Sequence, residues 1–185
     1  MATDAAAHGG FELAGRRVQL RDFCASDEDD FLAWAAFEEM YTYMPFRIES
    51  PEAAKMEFRR LLGHPSRQAV PRRHWFLATL SPEGAFVGVT GFDHLSDGRV
   101  EFGWYLSPPY WRRGYATAAT ELILRFAFEE LAVSEVTATC DPDNAASRRV
   151  LEKNGLRVVG EETRDTWRGT RPRLRLSLSR PASAW

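Results

Sequence analysis

The sequence predicts a single α/β domain in which one mixed sheet of about seven strands carries helices packed against it. The length of 185 residues fits one domain. A composition of 44% hydrophobic and 27% charged residues is that of a chain that buries a core. The hydrophobic periodicity gives the order strand, two helices, three strands, helix, strand, helix, two strands. We expect the domain over residues 10–180, a disordered arm over the small and polar residues 1–9, and a short tail over 181–185.

The first part of the chain reads as one strand followed by two helices. Residues 16–23 alternate polar and apolar side chains, which is the period of a half-buried strand. Ser26 precedes an acidic turn and an apolar series from Phe31 to Phe37, as in a capped helix with acids near its positive end. A second helix is expected to begin at Pro51, because proline suits the first helical position, and to stop at Gly63.

The rest of the chain predicts an antiparallel meander followed by a strand–helix–strand crossover. The strands are expected at 74–81, 85–95, 99–107, 134–140, 156–166 and 171–179, and the helices at 114–131 and 144–154. The passage from 99 to 140 is a βαβ unit, so its two strands should be parallel, with a right-handed crossover. Ligands of such sheets tend to bind outside the carboxyl ends of the strands, where the strands diverge.

Several functional classes are disfavoured by composition. The 24 basic and 26 acidic residues give a formal charge of −2, so no broad basic field exists to hold a nucleic acid. Cys24 and Cys140 have neither disulfide-framework nor metal-ligand spacing, so we expect no metal. The first ten residues lack the basic and apolar regions of a signal peptide, and no apolar stretch suggests a membrane span. The expected compartment is the cytoplasm.

One candidate anion site stands in residues 105–120, YLSPPYWRRGYATAAT, where a strand runs into a turn and then into a helix. Gly114 permits close approach of the backbone, and the first N–H groups of the helix point outward at its positive end. Arg112 and Arg113 would add charge-assisted hydrogen bonds to phosphate oxygens. The plainer alternative is a helix start flanked by solvated arginines. Neither the phosphate-loop pattern GxxxxGKS/T nor the dinucleotide pattern GxGxxG is present.

A second motif follows in residues 140–161, CDPDNAASRRVLEKNGLRVVGE. Read together, the two stretches resemble the GNAT superfamily of acyl-CoA-dependent N-acetyltransferases, and within it the RimJ/RimL-like branch. The branch signature Asn-x-x-Ser-x-x-Val-Leu-Glu-Lys-x-Gly matches from Asn144 to Gly155. The pyrophosphate pattern of the superfamily, Gln/Arg-x-x-Gly-x-Gly/Ala, is filled by Trp111, Gly114 and Ala116. The resemblance covers roughly residues 11–179.

The resemblance implies acetyl-CoA as the cofactor, bound in the cleft beside the βαβ unit. The residues it assigns to cofactor binding are Tyr105, Leu106, Trp111, Arg112, Arg113, Gly114, Tyr115, Ala116, Thr117, Asn144 and Ser147. Asn144, Ser147 and Leu151 are spaced i, i+3 and i+7, so they share one helix face that can border this cleft. Asn144 is equally suited to cap its helix, and the two roles are compatible.

The catalytic candidates are Glu101 as general base and Ser147, or a water that it holds, as proton donor. The resemblance implies that the strand of Glu101 borders the acceptor site, although a glutamate bound to neighbouring arginines is the structural alternative. Many superfamily members have a tyrosine acid where this chain has Leu151. A backbone N–H near Leu106 is the expected oxyanion donor. His94 is an alternative base, and Cys140 is interpreted as a buried filler rather than a nucleophile.

The acceptor pocket is expected from the first two helices and the last hairpin. Its candidate lining residues are the aromatics Trp34, Tyr41, Tyr43, Phe46 and Trp167, for which a place in the core is an equal alternative. Arg173 stands near a position at which the branch commonly has an aspartate. The predicted reaction is direct acetyl transfer to a primary amine, on a protein N-terminus or a small molecule. The alternative is a non-catalytic acyl-CoA-binding module, and a homodimer is a further expectation.

Overall fold

The computed structural model describes residues 10–63 and 72–180, which form one eight-stranded mixed sheet with four α-helices. The strands are β1 (Glu12–Ala14), β2 (Gln19–Asp22), β3 (His74–Leu80), β4 (Phe86–His94), β5 (Val100–Leu106), β6 (Glu135–Cys140), β7 (Arg157–Thr166) and β8 (Gly169–Ser179). The helices are α1 (Glu28–Ala35), α2 (Pro51–Leu62), α3 (Tyr115–Arg125) and α4 (Ala145–Lys153). The spatial order of the strands is β1-β2-β3-β4-β5-β6-β8-β7.

The predicted α/β fold class is confirmed, including its central βαβ unit. Strands β3, β4 and β5 form the expected antiparallel meander. Strands β5 and β6 are parallel and joined through α3, but they pair only from Val100 opposite Val136 to Phe102 opposite Ala138. Beyond that point the ends of the two strands no longer pair. The divergence lies at their carboxyl ends, where this topology is expected to bind ligands.

Helices cover both faces of the sheet. Helices α1 and α2 pack with one face around Phe31 and Phe58, and α3 and α4 pack with the other around Ile123 and Leu151. Helix α2 begins as its sequence predicts, because Ser50 Oγ accepts a hydrogen bond of 3.1 Å from the Ala53 N–H. The two helical layers and the sheet form the rigid framework that positions the loops and their functional side chains.

The structure differs from the sequence prediction in three local features. Strand β1 is an eighth strand, and its three residues are too few to show a period of two. Helix α3 ends at Arg125 and continues as one π-helical turn, Phe126–Glu130, where an α-helix to Leu131 was predicted. Ser26 lies in a 3-10 turn, and Asp27 is the residue that precedes α1. The predicted arm over 1–9 and tail over 181–185 lie outside the described residues. Within the described ranges, no helix has the length and apolar character needed to cross a membrane.

Candidate functional site

The divergence of β5 and β6 opens into a cleft of about 1220 Å³. Its walls come mainly from β4, β5, the end of β6, the start of α3, α4 and the loop between α1 and α2. Side chains of α1, α2, β3, β7 and β8 complete them. Most of the residues predicted for cofactor binding meet on this wall. They are Tyr105, Leu106, Trp111, Arg112, Gly114, Tyr115, Ala116, Thr117, Asn144 and Ser147.

The turn before α3 presents unpaired backbone donors to the cleft. Gly114 is the N-cap residue, with φ of 83°, a conformation in which a side chain is strained. The first hydrogen bond of α3 runs from the Ala118 N–H to the Gly114 carbonyl, at 3.0 Å. The N–H groups of Tyr115, Ala116 and Thr117 therefore lie ahead of the helical ladder, and no side chain caps them. These donors at the positive helix end fit an anionic group such as a pyrophosphate.

The two arginines of this turn have different surroundings. Arg112 lines the cleft and has φ of 62°, a left-handed conformation that costs a non-glycine residue about 1–2 kcal/mol. Arg113, predicted to contact the cofactor, is not among the lining residues. Its guanidinium lies over the Tyr110 ring at 5.7 Å, and its carbonyl accepts a hydrogen bond from Arg17. The cation–π contact thus holds the Arg113 side chain against Tyr110, which itself lines the cleft.

The end of β5 leaves one backbone donor without a strand partner. The Ser107 N–H donates to the Val87 carbonyl on the β4 side at 2.9 Å. Because successive residues of a strand alternate their hydrogen-bonding side, the Leu106 N–H points towards the gap left by β6. The Leu106 carbonyl on this side accepts a hydrogen bond of 2.6 Å from Trp111 Nε1, which fixes the turn against the strand end. The Leu106 N–H is thus available to a ligand.

The first turn of α4 carries the predicted polar face. Asn144 Oδ1 accepts a hydrogen bond of 3.0 Å from the Ser147 N–H, so Asn144 caps the helix. Its amide nitrogen is the group left to donate into the cleft. Asn144, Ser147 and Leu151 all line the cleft, as their spacing predicts.

Glu101 lies on the cleft wall beside a second carboxylate. Its Oε1 is 2.6 Å from Nη2 of Arg164, which also pairs with Glu162 on its own strand. Asp93 pairs opposite Glu101 across β4 and β5, lines the same cleft and forms a 2.7 Å hydrogen bond with His74 Nδ1. The ion pair is the structural alternative that the sequence left open, but it does not remove Glu101 from the cleft.

Arg164 is a site residue that the sequence reasoning missed. It lies in the alternating charged pattern of β7, which is typical of a solvent-exposed edge strand, and no motif singles it out. Only the contact with Glu101 on β5 gives it a place in the site.

Two weakly acidic side chains stay protonated in the cleft. Burial raises the pKa of the Tyr105 phenol, and the charges of Arg173 and Arg164 offset this in part. Burial likewise raises the pKa of the Cys140 thiol at the end of β6, again against the charge of Arg173. A buried thiol with a raised pKa is a poor nucleophile at neutral pH, which supports the interpretation of Cys140 as a filler.

Three of the five predicted acceptor aromatics line the cleft: Trp34, Tyr43 and Phe46. Trp34 Nε1 donates to the Tyr105 carbonyl at 2.8 Å, which ties α1 to the end of β5. The Phe46 ring meets the Tyr105 ring edge-on, with centroids 5.2 Å apart. Tyr43 and Phe46 are partly exposed, so they are positioned to contact an incoming molecule.

The other two aromatics do not reach the cleft wall, contrary to the sequence prediction. Tyr41 is buried, and its hydroxyl donates to the Ala35 carbonyl at 2.7 Å. The backbone N–H of Trp167 donates to the Pro45 carbonyl, so Trp167 lies beside the loop between α1 and α2. Both rings lie about 5 Å from the Arg47 guanidinium (5.0 and 5.1 Å), and Arg47 is the residue that lines the cleft. His94, the alternative base, is also not among the lining residues.

Comparison with known families agrees with this geometry. Residues 17–157 match the model described as acetyltransferase (GNAT) domain. The chain belongs to the GNAT acetyltransferase family. It is an acetyl-CoA-dependent N-acetyltransferase, so the predicted family, enzyme class and donor are confirmed. The residues after Gly114 and Leu106 at the end of β5 line the same cleft.

Similar proteins span nearly the same length. The uncharacterized N-acetyltransferase YnaD of Bacillus subtilis is 27% identical over 149 residues, which are 80% of this chain and 84% of that protein. RimJ of Mycobacterium smegmatis, solved in complex with CoA-disulfide, superposes with a TM-score of 0.80 at 20% identity, over 95% of this chain and 89% of that one. A GNAT acetyltransferase of Bacillus anthracis gives a TM-score of 0.76 at 21% identity, over 91% and 98%. These two likenesses concern the fold.

Proposed function

We propose that this GNAT enzyme transfers the acetyl group of acetyl-CoA directly to a primary amine, on a protein N-terminus or a small molecule. The observation that carries the proposal is the pair of carboxylates, Glu101 and Asp93, on the cleft wall near the point where β5 and β6 diverge. A carboxylate pair attracts an ammonium group. One of the pair can also accept its proton.

Donor binding is assigned to the turn before α3 and to the first turn of α4. The N–H groups of residues 115–117 and the Arg112 side chain meet the pyrophosphate, where the helix end favours negative charge. The Asn144 amide donates to the pantetheine arm. Acetyl-CoA supplies an activated thioester, and the remaining steps belong to the side chains of this chain.

Glu101 acts as the general base. An amine is mostly protonated at neutral pH, since the usual pKa values are about 7.7–8.0 for an α-amine and about 10.4 for a lysine amine. Glu101 accepts the proton, directly or through a water, and the neutral nitrogen then attacks the thioester carbonyl carbon. The ion pair with Arg164 holds the carboxylate in its orientation.

The negative charge that develops during the attack is stabilised at the end of β5. Negative charge grows on the carbonyl oxygen as the C–N bond forms, and the Leu106 N–H is positioned to donate to it. The C–S bond then breaks, and the departing thiolate takes a proton from Ser147 or from a water that Ser147 holds. The nitrogen loses its second proton in the same step, and this proton restores the donor. Leu151, on the same helix face, has no proton to give.

Direct attack is favoured over a covalent acyl-cysteine. Cys140 is the thiol on the cleft wall, but it is 3% exposed and its pKa is raised by burial. A protonated thiol without an adjacent base does not compete with a free amine for the thioester.

The test is acetyl-CoA turnover against a panel of primary amines, read as release of free thiol. The panel joins short peptides with free N-termini to small amines. We expect thiol release with at least one class, with the acetyl group recovered on nitrogen. Acetyl-CoA binding without turnover on any amine would favour the non-catalytic module instead.

A further inference from the structure

Arg173 on β8 is a buried cation on the cleft wall. The residue is 8% exposed and lines the cleft. Its Nη1 donates to the Tyr43 carbonyl at 3.2 Å and its Nη2 to the Thr139 carbonyl at 3.3 Å. The Nε–H is buried and has no hydrogen-bond partner. Two neutral carbonyls thus hold the guanidinium in place, and of its three nitrogens only Nε has no hydrogen-bond partner.

The charge of Arg173 has no counter-ion at contact distance in the described part of the chain. Over residues 10–63 and 72–180, no carboxylate lies within 4.0 Å of its guanidinium. Other arginines of the cleft wall differ in this respect. Arg47 pairs with Glu38, Arg60 with Glu57 and Arg164 with Glu101.

A buried, unpaired guanidinium is unfavourable, and it cannot escape by losing its proton. Arginine stays charged at any pH that a folded protein experiences. Burying a charge without a counter-ion costs several kcal/mol, and buried charges are accordingly paired or bind a ligand. The planar fork of arginine matches a carboxylate or phosphate oxygen pair. The missing partner of Arg173 is therefore an anion that enters the cleft.

The backbone position opposite Glu101 and the backbone anchor of Arg173 both lie on β6. Glu101 pairs opposite Thr137 of β6, and Arg173 is anchored on the carbonyl of Thr139, two residues further along the same strand. Two residues of extended chain span about 7 Å. A molecule with an ammonium group at one end and a carboxylate a few bonds away can meet both sites.

We propose that the acceptor amine carries a carboxylate that Arg173 binds, so that the substrates are amino acids or related amino carboxylates. The inference rests on the proposed function, since it names the substrate class of the same site. In this arrangement the ammonium group lies beside Glu101, and the carboxylate accepts hydrogen bonds from the Arg173 guanidinium.

The experiment compares acceptors that differ only in the anion. ω-Amino acids from glycine to 6-aminohexanoate are assayed beside the matching ω-amino amides, which keep the length and lose the charge. For the wild-type enzyme we expect the best acid to exceed its amide at least tenfold in kcat/KM. Arg173→Gln should remove this preference, with a loss of roughly 10- to 100-fold for the acid, chiefly in KM, and little change for the amide. Arg173→Lys should restore part of it.

The matched control is Arg175→Gln, which removes the same charge from an exposed residue of β8. Acetyl-CoA affinity and melting temperature are measured for each variant. Equal losses on acid and amide with Arg173→Gln would mean that the residue only supports the loop at Tyr43, and would overturn the proposal. So would a wild-type enzyme without preference for the acid, a result that stands even if no Arg173 variant folds.

Failure of the proposed function has a different signature. In that case the wild-type enzyme releases no thiol with any acceptor, acid or amide. Turnover of neutral amines alone would refute the carboxylate site while leaving amine acetylation intact.

Discussion

Replacing Glu101 by glutamine tests the general base, because glutamine keeps the size and hydrogen-bonding reach of the side chain but cannot take a proton at neutral pH. Base catalysis by a positioned carboxylate is worth about 10² to 10⁴ in rate, so kcat/KM should fall by that factor. Each tenfold step corresponds to about 1.4 kcal/mol, which places the kinetic cost at roughly 3–5 kcal/mol.

The structural cost of the same change is smaller. The Arg164–Glu101 ion pair is partly solvent-exposed, with side-chain exposures of 39% and 28%, and such pairs contribute about 0.2–1 kcal/mol. Arg164 also keeps its second partner, Glu162. Thermal unfolding should therefore shift little, and acetyl-CoA affinity measured by calorimetry should be retained.

Glu162→Gln is the matched control, because it removes the other carboxylate that pairs with Arg164. Glu162 is not among the residues that line the cleft. We expect near-normal turnover from it. The deficit of Glu101→Gln should shrink as pH rises towards the pKa of the amine, because solvent then supplies the neutral nucleophile. A Glu101→Gln enzyme with lower stability and undiminished turnover per folded molecule would refute the base assignment. Bulk water would then be the base to examine.

Further predictions concern the cofactor turn, the cleft thiol and the acid stability of the fold. Gly114→Val should weaken acetyl-CoA binding in calorimetric titration. Gly98→Val should cost stability alone, because Gly98 has a similar φ of 81° but a Cβ added there would meet no atom within 4 Å. Equal affinity in both variants would contradict the assignment of the Gly114 turn to cofactor binding. Cys140→Ala should keep turnover and form no acyl-enzyme in mass spectrometry; a large loss of turnover would revive the covalent route. The pKa of Asp27 lies below its usual range: burial raises it, but the hydrogen bond from Arg21 and that from the Cys24 N–H together outweigh burial. Its contribution is therefore present above about pH 4 and is lost as pH falls through the lowered value. Asp27→Asn should lose about 1.5–3 kcal/mol at pH 7 in chemical denaturation and should flatten the acid limb; an unchanged limb would refute the linkage. The exposed edge strand β7 carries the half-exposed Val158, and light scattering at micromolar concentration should give a dimer mass if this edge pairs; a monomer mass would remove the homodimer prediction.

Apart from β1, the order of the elements and the position of the Gly114 turn could be predicted from the sequence because they follow from local rules. Strand and helix periods appear in runs of consecutive residues. The left-handed backbone of Gly114 is likewise a local property of the turn, which a glycine signals whatever the turn packs against. The face shared by Asn144, Ser147 and Leu151 follows in the same way from helical spacing alone.

The direction of individual side chains between elements could not be predicted in this way. Tyr41 and Trp167 are large aromatic residues of the kind that line pockets. Their contacts with Ala35, Pro45 and Arg47 nevertheless hold them away from the cleft wall. Such contacts join segments distant in sequence, and periodicity carries no information about them.

The sequence by itself determined the fold class and the family of this protein, and the position of the glycine turn before α3. Only the tertiary structure decided that Glu101 meets Arg164 across the sheet, and that Arg173 is buried with no counter-ion among the described residues. The physical reason is that a motif is written in neighbouring residues, whereas the charge balance of a cleft depends on which distant side chains converge there. The role of an arginine in a strand can be inferred only when its burial and its hydrogen-bond and ion-pair partners are known.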